Sequence, residues 1–150
     1  MSTPEPVPYT SYDTRLASYA VITDDEGRIL LALWNEASDG GRWTLPGGGV
    51  ELDETVEEGA VREVREETGY DVELDRLLTV DTYVIPATRR HVDTDRPMKA
   101  VRVLFSARVV GGELTPEVDG TTDEARWFTP DEAARLPHVS LVDLALRLVG

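Results

Sequence analysis

The stretch GGGVELDETVEEGAVREVREETGY, residues 47–70, decides how this chain is read. Its second part is a helix on local grounds alone. Thr55 suits an N-cap, and Glu58 three residues later completes a capping-box pattern. Gly69 suits the left-handed position after the last turn. The spacing therefore predicts a helix from about Val56 to Thr68. Glu63, Glu66 and Glu67 then fall within an arc of about 100°. Gly59 lies on the same face and leaves room there, while Val61, Val64 and Thr68 point to another side and can face a core. Carboxylates three and four residues apart repel by about 0.2–0.5 kcal/mol per pair, which Arg62 and Arg65 offset only in part. One reading of such a face is simply solvated acid. The other is a cation among the acids, and without His or Cys nearby the choice is Mg²⁺ or Mn²⁺ rather than Zn²⁺. The loop before the helix favours the second. Pro46 and Gly47, Gly48 and Gly49 form a backbone-permissive turn that lets carbonyls and amides approach a ligand. No Gly-Lys-Ser/Thr follows, so it is not a nucleotide P-loop.

Outward from this segment, the chain reads as one unit. Residues 1–12, with Pro4, Pro6 and Pro8, form a loose arm, and residues 13–150 a single domain. RLASYAVI (15–22) and RILLALWN (28–35) are strand-like runs around DDEG (24–27), which predicts a hairpin. A loop with Gly40 and Gly41 leads to a brief extended stretch, WTLP (43–46). LDRLLTVDTYVI (74–85) and KAVRVLFSARVV (99–110) alternate as strands and flank a polar loop, 87–97, and ARWF (125–128) is a short strand. TPDEAARL (129–136) and LVDLALRLV (141–149) are helical in pattern. Strands and helices out of strict alternation predict an α/β (α+β) fold, a mixed β-sheet with helices packed on it.

Composition excludes several classes of function. There are 15 Lys and Arg against 29 Asp and Glu, a net charge of −14. A general nucleic-acid binder needs clustered basic residues, and an anionic membrane would repel this chain. The absence of Cys removes disulfides, thiol nucleophiles and Cys-ligated zinc. The two histidines, His91 and His138, leave little for a Ser-His-Asp triad. The N-terminal residues lack a basic start and an apolar core, so a cytoplasmic protein is the expectation.

The whole segment fits a longer pattern: Gly48, five residues, Glu54, seven residues, then Arg62-Glu63-Val64-Arg65-Glu66-Glu67-Thr68-Gly69-Tyr70. This resembles the signature of the Nudix hydrolases, with every fixed polar and glycine position filled. Tyr70 stands where a smaller aliphatic residue is usual, and Asp53 where Gly is frequent. The resemblance implies an α/β/α sandwich and a Mg²⁺-dependent (or Mn²⁺-dependent) hydrolase of a diphosphate linkage in a nucleoside diphosphate derivative. It implies that Glu63, Glu66 and Glu67 hold the metal with a carbonyl of Gly47 or Gly48. Glu54 and Arg62 would form a buried ion pair that ties the loop to the helix. Glu66 or Glu63 would be the general base, and Glu124 is a candidate acid recruited from a later loop.

Substrate choice is less legible. Pro86, 16 residues after Tyr70, resembles the placement in the ADP-ribose pyrophosphatase subgroup. ADP-ribose or a nucleotide sugar is therefore expected ahead of a nucleoside triphosphate. Arg89, Arg90, Arg96 and Lys99 are candidate phosphate contacts, and Trp34, Trp43 and Tyr83 candidate stacking partners, with Arg89, Arg90 and Tyr83 favoured. Trp43 and Trp127 are expected in the core, His138 in a structural role. Two competing readings are a ligand-sensing module without turnover and an acidic interaction protein. The complete set of acids counts against the first, and acidity alone reports chiefly solubility. The partner is a small nucleotide, and the family also admits a homodimer.

Overall fold

Two β-runs, 15–22 and 28–35, turn on Asp24 and then part. The computed structural model describes residues 4–35, 41–115 and 122–149, with only the backbone of Thr122 and Asp123. Gly40 and residues 1–3 lie outside the described residues. Strand β1 is Asp13–Ile22 and β2 is Ile29–Trp34. The turn between them is built by Asp24, whose Oδ1 accepts from the backbone of Glu26 (3.0 Å) and Arg28 (2.8 Å), with Gly27 at φ 77°. A single bridge, Thr23 to Ile29, joins the two runs. The expected hairpin goes no further. Residues 17–22 of β1, apart from the half-buried Tyr19, and residues 29–32 of β2 are buried on both faces, and each strand is central, with other neighbours on either side.

β3 (Arg42–Thr44) and β7 (Thr122–Phe128) flank β2 in an antiparallel sheet of order β3-β2-β7. β4 (Gly47–Gly49), β5 (Tyr70–Ile85) and β6 (Met98–Gly112) join β1 in a second sheet of order β4-β1-β6-β5. The second sheet is mixed, since β1 runs parallel to β6 and antiparallel to β4. The glycines read as a turn are thus a strand. Gly47, Gly48 and Gly49 pair with Tyr19, Ser18 and Ala17. A Cβ on Gly47 would lie 2.3 Å from the Ser18 carbonyl oxygen, so only glycine fits at that register.

Helix α1 (Val56–Thr68) has the predicted bounds. Thr55 Oγ1 accepts from Glu58 N (3.1 Å), Glu58 Oε1 accepts from Thr55 N (3.0 Å), and Gly69 is left-handed at φ 83°. That glycine turns the chain straight into β5, which begins at Tyr70, four residues before the expected Leu74. α2 (Pro130–Arg135) and α3 (Ser140–Val149) complete the chain, α2 opening on a second capping box from Thr129 and Glu132.

Strand alternation separates two cores. Ala20, Ile22, Leu30, Val72, Ala107 and Ala125 pack with Val64 of α1, and Val103 and Phe105 with Ala60. On the other side, Val21, Ile29, Leu31, Trp43 and Leu104 pack with Ala133 of α2 and Leu141, Val142 and Ala145 of α3. Helices on opposite sides of the strands give an α/β/α sandwich. Trp43 meets Phe128 edge-on at 4.8 Å. Trp127 packs beside Tyr70 and donates to its hydroxyl (3.3 Å). His138 bridges Leu136 O (2.6 Å) and Asp143 (2.7 Å), tying the end of α2 to α3. Among the described residues no helix is long and apolar enough to cross a membrane.

Candidate active site

The site forms where α1 lies over β4. Val64 and Thr68 are fully buried and fix the rotation of the helix. That rotation sorts the three acids. Glu67 is nearest the apolar side of the arc and is itself buried at 6% exposure, accepting a hydrogen bond from Gly47 N (2.9 Å). Glu63 lies over Gly48, where a Cβ would come within 2.9 Å of its carboxyl carbon. Glu66 is at the outer end of the arc and its side chain is half exposed. The two glycines therefore serve different acids. Gly47 supplies an amide to Glu67, and Gly48 leaves the space that Glu63 fills.

Arg62 organises the rest. Its Nε and Nη2 grip Glu54 at 3.0 and 2.6 Å, a two-point carboxylate contact. Nη2 also reaches Gly49 O (3.1 Å), and Nη1 lies 3.2 Å from both Glu63 and Glu66. The Glu51 amide adds a bond to Glu54 (2.9 Å). Hydrogen bonds from Arg62 and then from the Glu51 amide hold the Glu54 carboxyl down at about 2. The Glu54 contact, opposed by burial, raises Arg62 further above its ordinary value. The expected pair between Glu54 and Arg62 is therefore present and anchors loop 50–55 to the helix. It is partly rather than fully buried, with 26% of the Arg62 side chain exposed.

The donors that would meet a metal are carboxylate oxygens and glycine carbonyls, which suit a hard divalent cation in chemistry. The Gly48 cradle under Glu63 is consistent with that use. Among the described residues, however, no three such side chains converge as they stand to hold an ion. Arg62 draws Glu63 and Glu66 toward itself, and Gly47 holds Glu67.

The other sequence candidates are scattered. Glu124 lies on β7 between residues of opposite facing: Ala125 and Trp127 turn to the α1 side, Phe128 to the α2–α3 side. Alternation puts Glu124 with Phe128, away from α1, and its carboxylate pairs with Arg126 Nε (2.7 Å). Arg90 is mostly buried and donates to Asp13 (2.7 Å) and Arg96 O (2.8 Å). Arg96 meets Asp13 as well (2.9 Å) and reaches the carbonyls of Thr10 and Tyr12. The two guanidiniums hold Asp13 below the usual carboxylate range. Together they clamp loop 87–97 to the start of β1. Arg89, on a short 3-10 turn (Ala87–Arg89), is exposed, as are His91 and Lys99. Tyr83 is on β5 with the Arg102 guanidinium 4.7 Å over its ring, and Arg102 is bound in turn by Asp81.

Two residues at the site carry no signal in the sequence. Ser18, opposite Gly48, is fully buried, and its Oγ has no hydrogen-bond partner among the described residues. Arg15 places Nη2 3.8 Å from the point where a Cβ on Gly49 would sit. Both depend on the β1–β4 register, which brings together positions some 30 residues apart.

A glycine strand paired under a capped helix, with carboxylates on one flank and an acid–arginine lock beside them, defines a class of site in an α/β/α sandwich. Residues 13–145 match the NUDIX domain, and the chain belongs to the Nudix hydrolase family. It is 37% identical over 134 residues to a MutT-like protein of Streptomyces ambofaciens, covering 87% of this chain and 74% of that one. It is 36% identical over 115 residues to an ADP-ribose pyrophosphatase of Methanocaldococcus jannaschii, covering 77% and 62%. Among solved structures, a MutT NUDIX hydrolase of Burkholderia pseudomallei superposes with a TM-score of 0.73 at 30% identity, covering 92% of this chain and 99% of that one. The chain spans between 25% and 74% of the length of these and another curated relative.

Proposed function

We propose that the chain is a divalent-metal-dependent pyrophosphohydrolase that cleaves the diphosphate linkage of a nucleoside diphosphate derivative, with ADP-ribose or a nucleotide sugar ahead of a nucleoside triphosphate. The observation that carries this is the junction of β4 and α1. There, Gly48 makes room for Glu63, and Gly47 fixes Glu67. Glu63, Glu66 and Glu67, with a carbonyl of Gly47 or Gly48, would hold Mg²⁺ or Mn²⁺. When bound, the ion neutralises phosphate charge and makes water a better nucleophile. Glu63, seated over Gly48, or Glu66, half exposed at the outer end of the arc, takes the proton of the attacking water. Glu67, buried against Gly47, is suited to ligation rather than proton transfer. Glu54 and Arg62 set the loop and helix in register and do not touch the reacting atoms. The −14 charge leaves the bound cation to supply most of the positive potential that the diphosphate bridge meets. The relative named for ADP-ribose supports the substrate order, as does Pro86, which ends β5. Arg89 and Tyr83 remain candidate substrate contacts, while the Asp13 clamp engages Arg90 elsewhere. We take residues 13–150 as the catalytic unit.

The test is a panel of ADP-ribose, nucleotide sugars and nucleoside triphosphates in Mg²⁺ and in Mn²⁺, scored by phosphorus product. AMP from ADP-ribose, and no product in chelator, is the expected result. Pyrophosphate released from triphosphates alone would move the assignment to a nucleoside triphosphate pyrophosphohydrolase. Saturable binding without turnover in either metal would make the chain a sensing module.

A further inference from the structure

Gly49 lies between two guanidinium groups. On the α1 side, Arg62 Nη2 donates to its carbonyl (3.1 Å). On the opposite face, Arg15 Nη2 stands 3.8 Å from the position of an added Cβ. The two arginines differ in what already holds them. Arg62 is gripped by Glu54 and approached by Glu63 and Glu66. Arg15 is exposed and makes no hydrogen bond or ion pair among the described residues, in a chain that carries 29 acids. Its charge is free for a ligand anion, and a planar guanidinium matches phosphate oxygens two at a time.

The sheet register extends this point into a surface. Arg15 is opposite Ala100 in β6, and Ala100 is opposite Tyr83 in β5. Cross-strand partners project to the same face, so Arg15, Ala100 and Tyr83 form one row on the face away from α1. Ala100 is small and buried, which keeps the middle of the row low. Tyr83, 44% exposed, stands at the far end with Arg102 against one side of its ring. The row therefore runs cation, floor, aromatic, over about 10 Å, two strand spacings. It begins at the glycine strand whose other face meets Glu63.

We infer that Arg15 binds a phosphate of the substrate across Gly49 and directs the attached nucleoside along Ala100 toward Tyr83. This deepens the hydrolase reading and rests on it for the identity of the phosphate. Gly49 has a defined role in it. Its φ is not in the left-handed region, and an added methyl would meet no protein atom nearer than 3.8 Å. The fold thus tolerates Ala at 49, yet that methyl occupies the space through which a phosphate reaches Arg15.

The experiment compares the full chain with Arg15→Gln, Arg15→Lys and Gly49→Ala. Affinity for AMP is measured by calorimetry in chelator, KM and kcat for ADP-ribose in Mg²⁺, and melting temperature for each variant. Arg15→Gln and Gly49→Ala should each weaken AMP binding about 10- to 100-fold, the range for a charged hydrogen bond. KM should rise by a similar factor, kcat should stay within about twofold, and the melting temperature should not move. Arg15→Lys should recover part of the affinity. Unchanged AMP affinity and KM in Arg15→Gln, or no AMP binding by the unaltered chain, overturns the inference while leaving the hydrolase reading intact. Loss of AMP binding in Arg15→Gln, in a chain that hydrolyses no diphosphate, removes the hydrolase reading and keeps the anion site.

Discussion

Replacing Gly48 with Ala separates the site from the scaffold. The added Cβ would lie 2.9 Å from the Glu63 carboxyl carbon and Oε1, and 3.1 Å from Oε2. These atoms are the far end of a flexible side chain, so Glu63 moves and the backbone does not. Gly48 also has no positive φ to defend. Stability should fall by less than about 1 kcal/mol, about 2–4 °C in melting temperature for a chain of this size. Function should fall far more. A displacement near 1 Å at a positioned group costs about 10²-fold in rate. The control is its neighbour. In Gly47→Ala the Cβ meets Ser18 O at 2.3 Å and Tyr19 Cα at 2.6 Å, with φ at 152°. Both contacts are backbone, so β4 must separate from β1. Such overpacking costs about 3 kcal/mol, or about 6–12 °C. The assays are thermal melts, Mn²⁺ affinity by calorimetry, and turnover of the best substrate in the panel. Gly48→Ala that melts normally and binds Mn²⁺ and turns over like the unaltered chain would refute the role given to Glu63. Gly48→Ala that melts as low as Gly47→Ala would refute the separation itself.

Three further outcomes can be measured. Glu66→Gln and Glu67→Gln should each abolish Mg²⁺-dependent turnover with near-native circular dichroism; near-normal activity in both would remove the metal site. The Glu54 carboxyl sits at about 2 when folded against 4.5 ordinarily, so folding favours its charged form. Its contribution is complete above about pH 4.5 and is lost as pH falls toward 2. Denaturant titrations should show a shallower loss of stability over that window in Glu54→Gln, and identical slopes would contradict the Arg62 lock. Asp13→Ala should release Arg90 and Arg96 together and speed proteolysis within 87–97 without slowing turnover tenfold; a loop that stays resistant would show that the clamp is not what holds it.

Local chemistry makes much of the molecule legible. The capping box and Gly69 fix both ends of α1, because a cap depends only on residues within one turn. The acids of one arc are equally visible, since helical rotation follows from spacing. The hairpin fails for the converse reason. A turn at Asp24 is local, but whether β1 and β2 remain partners depends on β6 and β7, more than 75 residues away. The glycine run reads locally as a turn because a strand without side chains has no alternation to recognise; its pairing with Ala17, Ser18 and Tyr19 shows only in three dimensions.

Sequence alone determined the family pattern, the helix and the identity of the acids, all properties of a contiguous segment whose geometry is set by backbone spacing. Tertiary structure decided how those acids differ, with Glu67 bound to an amide, Glu63 seated over a glycine and Glu66 left open. It also withdrew Arg90 into a clamp and brought Arg15 to Gly49. These are contacts between distant segments, fixed by strand register and core packing, and no local preference encodes them.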